Sequence, residues 1–162
     1  MPDAGSVPMS DPIGYFLTWT TYGTWLPGDD RGWVKEGQGF QLPNWRIEHE
    51  ARRKLSESPC VLDEQERRLV EDTIRCHCEF RKWSLHAVNC RTNHVHVVVS
   101  AATSAGAVMS QLKAWCTRRL NEHRKAKSDV CRENWWTEGG SKRFLNDETS
   151  LEAAVVYVAE GQ

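Results

Sequence analysis

An α+β fold built on an antiparallel sheet is predicted by three features of this 162-residue chain. Two short runs, the second rich in valine, flank a three-residue polar turn, the pattern of a β-hairpin. Stretches with apolar residues at helical spacing lie on either side of that pair. An aromatic and β-branched run precedes them all, and a further strand and helix follow.

Residues 1–12 are polar and contain proline, which predicts a flexible tail ahead of one domain over residues 13–162. Tyr15 to Thr21 (YFLTWTT) is the first strand. Residues 22–59 are dense in Gly, Pro and Trp and predict an irregular insert with a short helix around Arg46 to Leu55. So long an irregular insert in a compact domain is usually functional or wrongly assigned. Leu62 to Phe80 is the next helix: Asp63 is its N-cap, Glu66 follows three residues on, and Leu69, Val70, Ile74 and Cys78 form its stripe. Trp83 to Cys90 and His94 to Ser100 are the hairpin strands around Arg91-Thr92-Asn93. Ala105 to Lys125 is a second long helix, with Val108, Leu112, Trp115, Cys116 and Leu120 on one side. After a break near Ser128, Asn134 to Phe144 predicts strand, bend and strand. Thr149 or Ser150 is expected to cap a last helix from Leu151 onward. The order βαββαβ, with one helix appended, is a ferredoxin-like split βαβ arrangement with helices on one face.

Composition narrows the function classes. Apolar residues at 40% and charged residues at 27% predict a packed core rather than disorder. No apolar stretch approaches the roughly 20 residues that cross a bilayer, and the start lacks a basic segment followed by an apolar run. The expectation is a cytoplasmic protein. Its six cysteines include no CxxC, and Cys76 and Cys78, two apart on a helix, point about 200° from one another, so reduced thiols are expected rather than a zinc clip. The formal charge of −1 hides an asymmetry: residues 1–80 carry −5, residues 81–143 carry +8 and residues 144–162 carry −4. A positive middle suits a polyanion, and it equally suits a solvated helix face.

His94-Val95-His96 is the clearest chemical constellation. Residues i and i+2 of a strand share a face, so both imidazoles project together while Val95, Val97 and Val99 face the other side. Two such imidazoles can chelate a divalent cation. The same triplet also describes an ordinary pair of histidines, and alone it does not choose.

The wider context resembles the HUH superfamily of single-strand DNA nucleases, and within it the single-tyrosine, REP-associated tyrosine transposases. Four segments carry the resemblance: YFLTWTTYGTWLPGDDRG, WSLHAVNCRTNHVHVVVS, VMSQLKAWCTRRLN and WWTEGGSKRFLNDETSLEAAVVYVAEGQ. Together they span nearly everything after residue 12. The resemblance implies the HUH endonuclease fold, with His94 and His96 holding Mg²⁺ or Mn²⁺ and Tyr157 of the last helix as nucleophile. It implies a third, polar metal ligand near one turn after the tyrosine. The family's usual i+4 position is Gly161 here, so Glu160 at i+3 is the expected ligand, with Gln162 at i+5 as the alternative. It also implies recognition of a single-stranded DNA hairpin, cleavage through a 5′-phosphotyrosine, association with the nucleoid when DNA is bound, and action as monomer or homodimer.

A tyrosine hydroxyl ionises near pH 10 and needs help to attack a phosphodiester at neutral pH, which a divalent ion supplies by polarising the phosphoryl oxygens. DNA contacts are expected from Lys113, Arg118, Arg119 and Arg124 on the second long helix, and from Arg91, Asn93, Lys142 and Arg143 on the hairpin and late strand. Trp115, Trp135 and Trp136 are candidates for stacking unpaired bases, although a tryptophan is more often core. Two rivals remain. A histidine-triad nucleotide hydrolase needs a third histidine where Val98 stands. A domesticated, non-catalytic nucleic-acid-binding module would keep the fold without cleaving.

Overall fold

The computed structural model describes residues 11–160. In chain order the elements are β1 (Gly14–Thr20), β2 (Trp33–Lys35), β3 (Gly39–Gln41), α1 (Trp45–Arg53), α2 (Glu64–Arg81), β4 (Ser84–Cys90), β5 (His94–Ser100), α3 (Ala105–Ala126), β6 (Ser141–Leu145) and α4 (Glu148–Glu160). The main sheet has the order β4-β5-β1-β6, and every neighbouring pair is antiparallel. This is the ferredoxin-like arrangement that the element order predicts. Nearly all of the expected tail, residues 1–10, lies outside the described residues.

The two faces of the sheet are covered differently. Leu17 and Trp19 of β1 and Val95, Val97 and Val99 of β5 pack with Val70, Ile74 and Cys78 of α2 and Val108, Leu112, Cys116 and Leu120 of α3. The opposite face carries Val98 and Leu145, closed by Ala154 and Val158 of α4. The appended helix therefore sits across the sheet from the other two. Strand alternation forces this division, because Val95 and Val97 cannot share a face with His94, His96 and Val98.

Local chemistry fixes the ends of the helices. Asp63 accepts from the Glu66 amide while the Glu66 carboxylate accepts from Asp63, a reciprocal capping box that starts α2. Ser104 caps α3 by accepting from the Ala107 amide. For α4 the cap is Asp147, whose carboxylate accepts from Ser150 at 2.7 Å, rather than Thr149 or Ser150. An aspartate two or three residues earlier offers the charged acceptor that the helix N-terminus favours.

The late strand pair is also shorter than expected. Trp136 makes one isolated bridge to Thr21, and β6 begins only at Ser141. Between them Gly140 has φ +147°, and a Cβ there would lie 2.7 Å from the Thr18 carbonyl oxygen, so only glycine lets the chain rejoin the sheet edge.

The insert is more ordered than its composition suggests. β2 and β3 pair as a two-stranded ribbon and α1 follows, capped by Asn44. Cys60, Cys78, Cys90 and Cys116 are buried, Cys76 and Cys131 are exposed, and all six are free thiols.

Candidate active site

His94 and His96 project from β5 toward α4, while Val95 and Val97 on either side of His96 are fully buried among α2 and α3. The imidazole centres are 4.7 Å apart. Each ring is oriented through Nδ1. The Nδ1 of His96 is 2.8 Å from the hydroxyl of Thr18, its antiparallel neighbour on β1. The Nδ1 of His94 is 2.8 Å from the side-chain oxygen of Asn93. An amide oxygen only accepts, so in this contact the His94 Nδ1–H is the donor. Outer contacts of this kind orient histidines as metal ligands. His96 is 7% exposed, and burial first, then the neighbouring His94 and Arg91, lowers its pKa to about 4. Its imidazole is neutral at pH 7, the form a cation requires.

From the other side comes α4. Leu151, Ala154, Val155 and Val158 form its sheet-facing stripe, and Tyr157 stands at the edge of that stripe, 48% exposed. The Tyr157 ring centre is 5.7 Å from His96 and 5.9 Å from Phe16, which is itself 5.5 Å from His96. The three rings form one cluster within a single chain. Asn89, the antiparallel neighbour of His96 on β4, donates its side-chain amide to the Val158 carbonyl at 3.1 Å and ties the last turns of α4 to the sheet.

Residues 52–160 match the family described as IS200-like transposase. The chain belongs to the IS200-like transposase family. Its fold is shared with a protein from Deinococcus radiodurans R1, described as a transposase, over 100% of this chain and 98% of that one, with a TM-score of 0.54 and 14% identity. No curated protein sequence matches the chain.

In this transposase Glu160, the expected third ligand, is exposed in the last turn of α4. Among the described residues no group of three or more His, Cys, Asp or Glu side chains is placed together to hold a metal ion. On an ideal helix Glu160 lies about 170° from the middle of the stripe that faces the sheet. Spacing from Tyr157 alone conceals this, because the tyrosine is already at the edge of that stripe. Gln162 lies outside the described residues.

The residues expected to touch DNA divide between the two faces. Arg91 is close enough to act electrostatically on His96, Asn93 holds His94, and Arg143 lies opposite Phe16 on the histidine face of the sheet. The α3 set lies on the far side. Lys113 donates to the carbonyl oxygens of Thr137 and Gly139, and burial lowers its pKa. Arg124 pairs with Glu66 at 3.2 Å and packs over Trp135. The Trp136 indole donates to Lys113 and Thr117, and the buried Trp135 donates to Asn121. Arg118 covers Trp115, while Arg118 and Arg119 both pair with Glu122. Lys142 is opposite Leu17 and so faces α3. Sequence reasoning missed Thr18, Phe16 and Asn89, whose roles depend on strand register and carry no local signal.

Proposed function

We propose that this transposase is a metal-dependent endonuclease and strand transferase for single-stranded DNA, that it recognises a hairpin, and that it cleaves through Tyr157. One observation carries the reading: the Tyr157 ring lies 5.7 Å from His96 of its own chain. Nucleophile and candidate ligands therefore meet without a second subunit, which favours action in cis by one domain.

His94 and His96 are the residues that would hold Mg²⁺ or Mn²⁺; their Nδ1 contacts fit that role, as does the lowered basicity of His96. When bound, such an ion neutralises phosphoryl charge and aligns the scissile phosphate. A third ligand is expected from the end of α4, from Glu160 or, as the alternative, Gln162.

The protein's part in the step is positional. The Tyr157 oxygen forms a bond to phosphorus and gives up its proton to solvent. The bond from phosphorus to O3′ breaks, and O3′ takes a proton to become a free hydroxyl. The 5′-phosphotyrosine retains the phosphodiester energy, so a second 3′-hydroxyl can reverse the step and join a new strand without ATP. Arg91, Asn93 and Arg143 line the strand's approach on the histidine face.

The test is denaturing gel analysis of the protein with a labelled hairpin oligonucleotide and Mn²⁺. The expected result is an SDS-resistant adduct in the wild type that disappears in Tyr157→Phe. His94→Ala and His96→Ala should stop cleavage while leaving hairpin binding largely intact. Continued cleavage by Tyr157→Phe would overturn the reading.

A further inference from the structure

The insert between β1 and α2 presents rings to solvent in a way a stable fold does not require. Phe40 is 67% and Trp45 is 70% exposed, and Leu42 beside them is 78% exposed. Exposed apolar surface gathered in one place marks an interaction site more often than chance. The stretch 22–51, which contains all three, lies outside the part matched to the family.

Two of the insert's tryptophans carry a guanidinium. The Arg31 guanidinium carbon is 4.1 Å from the Trp25 ring centre, and that of Arg46 is 5.4 Å from Trp45. The first pair is rigidly built. Asp29, itself buried, accepts from the Arg31 amide at 2.8 Å and from its side chain at 2.7 and 2.8 Å. Arg31 also donates to the Thr24 carbonyl, and the Trp25 indole donates to the Gly32 carbonyl at 2.8 Å. The Phe40 ring occupies the space that a side chain at Gly32 would need. A buried carboxylate thus fixes the Arg31 guanidinium over the part-exposed Trp25 ring, and such prior ordering lowers the cost of binding something flat.

We propose that this insert is a stacking platform for unpaired bases of the DNA substrate flanking the cleaved hairpin. That the DNA arrives beside it rests on the function proposed above. The insert leaves the sheet beside the candidate site: Thr21, at its root, donates its amide to the carbonyl of Asn93, the residue that holds His94. Aromatic rings and guanidinium planes stack bases regardless of sequence. Ion pairs take up Arg31, Arg52 and Lys54 and leave Lys35, Arg46 and Arg53 unpaired among the described residues. Residues 22–59 carry six Lys+Arg against six Asp+Glu, so stacking rather than net charge supplies the affinity.

The experiment compares wild type, Phe40→Ser and Trp45→Ser by fluorescence anisotropy. The probes are labelled oligo(dT), a hairpin with an unpaired flank and the same hairpin without one. Each substitution should weaken binding of oligo(dT) and of the flanked hairpin by at least about fivefold. Affinity for the bare hairpin and the salt dependence of binding should be unchanged. Equal affinity of the variants and wild type for the flanked hairpin would overturn the platform. So would equal loss on both hairpins, or a change only in the sedimenting mass of the protein, which would point to a protein interface. The adduct assay separates the two proposals. An adduct without flank dependence removes the platform alone; flank dependence without an adduct removes the Tyr157 mechanism alone.

Discussion

Asn89 and Val158, 69 residues apart in sequence, are joined by a side-chain to backbone hydrogen bond of 3.1 Å that docks the tyrosine helix beside His96. The Val158 carbonyl belongs to the last turn of α4, and the Asn89 amide on the sheet donates to it. Asn89→Leu removes that donor with little change in volume. Adduct formation should slow by roughly tenfold or more, as displaced reacting groups typically do. Hairpin affinity and secondary structure should be retained, as checked by anisotropy and circular dichroism.

The Thr18 hydroxyl orients the His96 imidazole, and Thr18→Val deletes that oxygen while keeping the shape. Losing an outer contact of this kind typically costs 10–100-fold in metal affinity. Calorimetric titration with Mn²⁺ should show a loss of about that size, with recovery in Thr18→Ser.

Arg124 and Arg118 lie on the same helix and should behave oppositely. Arg124 pairs with Glu66, whose side chain is 5% exposed, whereas the Arg118 pair with Glu122 is open to solvent. Arg124→Ala strands a buried carboxylate and should destabilise the protein by about 2–3 kcal/mol. Arg118→Ala should change stability by no more than about 0.5 kcal/mol. Thermal denaturation of the two variants checks the contrast.

Acid should erase the capping contribution of Asp63. Its bond from the Glu66 backbone amide holds the Asp63 carboxyl below the ordinary aspartate range. The folded state therefore favours the ionised form, and the stabilisation is complete above the unfolded pKa and lost as pH falls through the lower, folded one. Asp63→Ala should cost about 1 kcal/mol at pH 7 in urea denaturation. The difference from wild type should shrink as pH drops below about 4.

Much of the fold was legible because it rests on short-range signals. The two-residue alternation of β5 placed His94 and His96 together and buried Val95 and Val97 behind them. The Asp63–Glu66 box and the helical stripes marked α2 and α3 to within two residues at each end. The insert was less legible, since three-residue strands such as β2 and β3 offer almost no periodicity. The partners of the α3 cations were not legible: charge along a helix says nothing of whether Glu66, Glu122 or a loop carbonyl already engages it.

What the amino-acid order determined alone was the set of elements, the shared face of the two imidazoles and the presence of a tyrosine on the final helix, because each depends on neighbours a few residues away. Tertiary structure decided which side of the sheet α4 covers, and hence that Tyr157 meets His96 while Glu160 is exposed. It also decided that Thr18 and Asn89 hold the site, through contacts spanning 78 and 69 residues. Such contacts follow from strand register and helix docking, which are set by burial of the whole core and by no local pattern.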